Sequence, residues 1–157
     1  MQQANPPAPG TPQSTATPEP VAVSAACARQ NSGVLQGQVA RVDDLGTLEV
    51  NTSEGAVRAR FAGINLFMDG QPGEKNLQAI RDLLLNQTVL LVRDQSTGLE
   101  TPPLSRYIFT REKFINDELV RLGLAERSPD SVEQSCAAVL QLSEQKARSA
   151  RVGMWEP

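Results

Sequence analysis

Val57-Arg58-Ala59-Arg60-Phe61-Ala62-Gly63-Ile64-Asn65-Leu66-Phe67-Met68 alternates apolar and charged side chains as far as Phe61 and then breaks at a glycine. A period of two puts Val57, Ala59 and Phe61 on one face of a strand and Arg58 and Arg60 on the other. Upstream, Leu35 to Val42 and Thr47 to Asn51 carry the same rough alternation, with turn residues Asp44-Leu45-Gly46 and Ser53-Glu54-Gly55 between the segments. Together with Ala56 to Ala62 they read as a three-stranded meander. Its inward face is expected to hold Ala40, Val42, Leu48, Val50, Val57, Ala59 and Phe61.

Downstream, a polar loop containing Asp69-Gly70-Gln71-Pro72-Gly73 precedes a helix predicted over Glu74 to Asn86, with Leu77, Ile80, Leu83 and Leu84 toward the core. Glu74 falls in its first turn, where a carboxylate opposes the positive end of the helix dipole. Thr88 to Arg93 and Leu104 to Thr110 read as the fourth and fifth strands. Five strands with a capping helix after the third is the Greek-key order of a small OB barrel, a mostly β fold with α elements. Two C-terminal helices complete it, Phe114 to Leu124 ended by Gly123, and Glu133 to Arg151 packed through Val139, Leu142 and Ala150. Trp155 is expected over the open end of the barrel.

The chain has 157 residues, of which 39% are hydrophobic, enough for one domain and a tail. Met1 to Val21 holds six prolines and a single charged residue, Glu19. Such a stretch cannot bury enough apolar surface to offset its ordering entropy. Residues 1–30 are therefore expected to be a disordered tether, and 31–157 the folded domain. No apolar run approaches the roughly 18 residues of a membrane span, and no signal peptide is present. A Pro/Ala/Thr/Ser tether suggests export behind a signal or anchor upstream of Met1, hence an extracytoplasmic location.

Cys27 and Cys136 fit that compartment if they join, closing a loop of more than 100 residues. The alternative is two unpaired thiols. Histidine is absent, which removes Ser-His and Cys-His mechanisms, and no Cys cluster offers a zinc site. The net charge of −3 survives removal of the tether because Arg29 and Glu19 cancel. With an isoelectric point near 5.0, the domain lacks the positive bias through which proteins displace counterions from nucleic acid. A local patch from Arg58, Arg60, Arg106 and Arg111 remains open.

Four stretches resemble the thermonuclease family, the staphylococcal-nuclease-like OB fold, from about Gly37 to Trp155. Arg41-Val42-Asp43-Asp44-Leu45-Gly46-Thr47-Leu48 is similar to Arg-Val-x-Asp-Gly-Asp-Thr-Leu. Val57 to Met68 is similar to Val-Arg-x-Arg-Leu-x-Gly-Ile-Asp-Ala-Pro-Glu. Tyr107 to Ala125 resembles the last barrel strand and following helix, and Lys146 to Trp155 the closing Ala-rich helix with its Gly-Leu-Trp end.

The resemblance implies a calcium ion held by two aspartates, a glutamate acting through water, and two arginines on the phosphate. A hard cation needs several oxygen ligands, and the arginines offset charge developing on phosphoryl oxygens. Position by position, most of that set is missing. Gly46 replaces the second aspartate, Asn65 the aspartate after Gly-Ile, and Met68 the glutamate. Pro103 stands where the second arginine belongs, with Arg106 three residues on. Asp44 matches the lesser aspartate and is a weak metal candidate; Arg60 alone is retained in place. Arg60 and Arg106 are the anion-binding candidates, although Arg60 is equally expected to be held by backbone carbonyls or by a carboxylate such as Asp44.

The expectation is a catalytically inactive module without a cofactor, whose partner is a protein or cell-surface component. Two alternatives stand beside it. One is a single-stranded nucleic-acid binder, which the acidic charge and the six aromatics, mostly claimed by the core, disfavour. The other is a weak calcium-dependent phosphodiesterase with a displaced site built from Arg60, Asp44 and Arg106.

Overall fold

The computed structural model describes residues 27–28, 34–94 and 100–157. The tether expected over residues 1–30, apart from Cys27 and Ala28, lies outside them. Five strands close a barrel: β1 (Leu35–Val42), β2 (Leu48–Thr52), β3 (Gly55–Phe61), β5 (Thr88–Val92) and β6 (Leu104–Phe109), in the order β1-β2-β3-β6-β5. All pairings are antiparallel except β3 with β6, where Arg60 lies opposite Ser105 and Phe61 opposite Arg106. The mixed barrel with one helix after its first strands and two at the C-terminus is the expected OB architecture.

Two short strands were not foreseen. Ile64–Leu66 (β4) pairs antiparallel with Ala125–Arg127 (β7) in a separate two-stranded sheet, with Asn65 opposite Glu126. α2 spans Ile115–Arg121, shorter than the expected Phe114 to Leu124 because the chain leaves the helix at Leu122 and Gly123, ahead of β7. The Gly123 N–H bonds to the Val120 carbonyl, and its φ of +74° turns the chain out of the helix.

The inward face of β1 departs from simple alternation. The pairing with β2 shifts register between Val39 and Arg41. One extra residue is accommodated there, so Val39 and Val42 both point inward and Ala40 is exposed. Leu48, Val50, Ala59 and Phe61 are buried as expected, while Val57 is half-buried. Burying each large side chain contributes about 2 kcal/mol from removal of apolar area.

Helix α1 runs Gly70–Leu84, four residues earlier than its composition suggests, and Glu74 lies beyond its first turn. Pro72 is tolerated because the first-turn N–H groups have no partner within a helix. Gly73 is required by contact, since a Cβ there would collide with the Met68 backbone. Leu77, Ile80 and Leu84 are buried. Asn76 donates to the Phe67 carbonyl at 2.8 Å, and Arg81 donates to the Val42 carbonyl at 3.0 and 3.2 Å. One helix thus fixes both the β1–β2 turn and the segment after β4.

Helix α3 (Ala137–Ala150) buries Leu140, Ser143 and Ala147, following Cys136. Val139, Leu142 and Ala150 face outward, contrary to the apolar reading of the helix, because its close packing on α2 selects small side chains; Ser143 bonds to Asp117 of α2. Trp155 stands against Phe67. Their rings meet edge-on at 5.5 Å, and the Arg148 guanidinium covers the indole at 4.1 Å.

Cys27 and Cys136 form a disulfide with Cα atoms 4.9 Å apart across 109 residues of sequence. Beside it the Cys136 N–H donates to the Tyr107 hydroxyl, which donates to Asp94 at 2.6 Å. Burial, and then this bond to Asp94, raise the Tyr107 pKa above its ordinary value.

Candidate functional site

Two loops and β3 converge on one face of the barrel. The first loop is set by Asp43, whose Oδ1 accepts the N–H groups of Leu45 and Thr47, both at 2.9 Å. Its Oδ2 accepts from Arg58 at 3.3 Å. Burial acts to raise the Asp43 pKa, but the Thr47 and Leu45 N–H groups and the Arg58 guanidinium outweigh it and hold the pKa below the ordinary value. Gly46 takes φ +80° in this turn, a conformation that costs a glycine nothing. The second loop leaves β4 through Leu66, Phe67 and Met68.

These elements enclose a cavity of about 300 Å³ lined by Leu45, Gly46, Thr47, Arg60, Phe61, Ile64, Asn65, Leu66 and Met68. Four of the positions singled out in the sequence, Gly46, Arg60, Asn65 and Met68, therefore share one space. Leu66 Cδ1 occupies the place that a Cβ on Gly46 would need, and Met68 Cε lies 3.8 Å from it. The space into which a side chain at position 46 would first extend is held by a leucine methyl.

The other singled-out residues lie elsewhere. Asp44 has a side chain 97% exposed and pairs with Arg81 at 3.4 Å, so it does not hold Arg60. Arg106 is buried, its Nη1 bound by both oxygens of Glu100 at 2.7 and 2.9 Å and by the Ser105 carbonyl at 2.8 Å. That leaves its terminal nitrogen committed to a carboxylate of its own chain. Pro103 is half-buried, follows a cis peptide, and does not line the cavity. Arg60 is exposed and makes no side-chain hydrogen bond or ion pair among the described residues.

Sequence reasoning missed Leu66 and Leu45 as lining residues, and Glu100 as the partner of Arg106. The first was legible: Leu66 stands where the similar pattern has alanine, and the larger side chain meets the glycine at 46. A second and larger cavity, about 440 Å³, lies between the start of α1 and the C-terminal turn, lined by Gln71, Pro72, Lys75 and Met154 among others. It includes none of the singled-out positions.

Among the described residues the cavity lining carries no carboxylate. Neutral oxygens from Asn65, Thr47 and the backbone are a poor match for calcium, which takes six to eight oxygens with charged ones prominent. Among the described residues no three Asp, Glu, His or Cys side chains gather in a way that could hold a metal. The lining instead combines leucine, isoleucine, phenylalanine and methionine with one guanidinium, one amide and the Thr47 hydroxyl. Comparison with curated proteins finds none that matches. A model of the staphylococcal nuclease homologue family matches residues 49–157, more than half of the sequence and all of the elements from β2 onward. With this match and the closed OB barrel, the chain belongs to the staphylococcal nuclease homologue family.

Proposed function

We propose that this member of a family of nucleases is a non-catalytic binding module acting in an oxidising compartment outside the cytoplasm. The observation that carries the reading is the exchange of charge for apolar volume at the ligand positions. Gly46, Asn65 and Met68 stand where carboxylates are called for, and Leu66 fills the space beside Gly46. Losing one transition-state donor in such a site costs a hundredfold or more in rate; here the metal ligands, the water-activating carboxylate and one arginine are replaced together.

The disulfide supports the location, since such bonds persist in secreted and periplasmic proteins and are rare where glutathione keeps thiols reduced. Among the described residues no helix is long and apolar enough to cross a membrane. In this reading the residues ahead of Cys27 tether the domain, since Cys27 is bonded to Cys136 and Ala28 is buried in the core, and the partner is a protein or a cell-surface component.

A calcium titration followed by amide NMR tests the loss of the metal site. The reading expects no saturable shift at Gly46, Asn65 or Met68. Saturable shifts clustered on those three amides would overturn it.

A further inference from the structure

The cavity beside β3 has a chemical polarity that narrows what the module recognises. Its walls are the apolar atoms of Leu45, Phe61, Leu66 and Met68, and its one charged group is Arg60. Neighbouring guanidiniums are already matched: Arg58 with Asp43 at 3.3 Å, Arg81 with Asp44 at 3.4 Å, Arg106 with Glu100 at 2.7 Å. Arg60 has no such counterpart among the described residues. A planar guanidinium presents donors matched in geometry to a carboxylate.

Leu45 is 76% exposed at the tip of the β1–β2 turn, on the cavity rim. The backbone of the turn is braced by the two hydrogen bonds to Asp43 and by Arg81 of α1, so little backbone freedom is left to lose on binding. An exposed apolar side chain on a braced turn beside an open apolar hollow is the arrangement of an interface centre.

We propose that the cavity takes an apolar side chain of a partner protein that carries a carboxylate next to it, the carboxylate pairing with Arg60. This rests on the non-catalytic reading, since a metal-loaded site would use the same space. A protein segment fits better than a free small molecule. Arg60 and Asn65 are exposed and Leu45 stands largely in water, so the hollow encloses one side chain while the rest of the ligand must be supported outside it. A nucleic-acid strand fits less well, because the single cation lining the cavity, in a domain of net charge −3, recovers little of the counterion release on which phosphate-chain binding depends.

The methionine methyls supply a probe with an internal control, because Met68 lines this cavity and Met154 lines the other. The intact, oxidised chain with carbon-13-labelled methionine methyls is titrated with an acetylated, amidated tetrapeptide of glycine, leucine, aspartate and glycine. Parallel titrations use the same peptide with asparagine for aspartate, the same peptide with glycine for leucine, and a ten-residue thymidylate. The Met68 methyl is expected to shift saturably with the first peptide while Met154 stays still. Replacing the aspartate is expected to weaken binding about threefold or more, and replacing the leucine is expected to abolish the Met68 shift. In Arg60→Gln, the leucine-aspartate and leucine-asparagine peptides are expected to bind alike, and Met68 still responds to both.

Equal binding of the aspartate and asparagine peptides to the unaltered chain would overturn the proposal, as would a shift at Met154 in place of Met68. Tighter, salt-sensitive movement of Met68 by the thymidylate would overturn it in favour of a nucleic-acid groove. None of these outcomes depends on calcium, so the failure of this assignment is distinguishable from the failure of the non-catalytic reading.

Discussion

Leu66 Cδ1 sits where the Cβ of any other residue at position 46 would have to go, so the glycine and the leucine are one structural unit. Gly46 also has φ +80°. Restoring an aspartate there therefore meets both backbone strain and a filled space. Gly46→Asp is expected to lower stability by about 2 kcal/mol. Gly46→Asp with Leu66→Ala together are expected to cost at least about 1 kcal/mol less than the sum of the two single changes, as contacting residues do. Urea unfolding of the four proteins measures the coupling, and strict additivity would show that the two side chains do not compete.

Asn116 ties the site strands to α2. It is fully buried, accepts the Ile108 N–H at 2.8 Å, and donates to the carbonyls of Ala62 at 2.8 Å and Arg106 at 3.3 Å. Asn116→Ala leaves buried backbone groups short of a partner and is expected to cost about 3 kcal/mol. Asn116→Asp keeps only the acceptor and is expected to be destabilising as well, and chemical denaturation of both variants checks the pair.

The disulfide closes 109 residues onto the start of α3. Reduction, or Cys27→Ser, is expected to cost about 2–4 kcal/mol, chiefly by freeing the unfolded chain. A fall in the thermal midpoint of about 10 °C corresponds to the middle of that range for a domain of this size. Scanning calorimetry with and without reductant reads it directly.

Asp43 makes the β1–β2 turn sensitive to acid. Its folded pKa lies below the ordinary value of 3.8. The stability it contributes is therefore complete above that value and is lost as pH falls through the folded value. Asp43→Asn retains an acceptor for the Leu45 and Thr47 N–H groups but loses the pairing with Arg58. The variant is expected to be less stable at neutral pH by about 0.5–1 kcal/mol and to converge on the unaltered protein as pH falls through the lowered folded pKa of Asp43. Urea midpoints across that range test the convergence.

The strands were legible because alternation and turn residues agree along Leu35 to Phe61. The exception is Ala40, where the inserted residue of a bulge reverses the phase, a feature that periodicity alone does not reveal. The start of α1 was hidden by Gly70, Pro72 and Gly73, residues that signal a loop by composition yet suit a first helical turn pressed on the Met68 backbone. On α3 hydrophobicity pointed to Val139 and Leu142, but the tight approach of α2 placed Ser143 and Ala147 inside. In the site, Gly46, Asn65 and Met68 were readable as departures from the similar pattern, singly and together. The approach of Leu66 to Gly46 and the engagement of Arg106 by Glu100 were not, because both depend on packing between distant segments.

The decisive assay for the absence of catalysis is hydrolysis of single-stranded and duplex DNA by the intact, oxidised protein, with calcium and with a chelator. Rates equal to the protein-free background are expected in both conditions, unchanged by Arg60→Ala. Cleavage that requires calcium and disappears in Arg60→Ala would contradict that expectation.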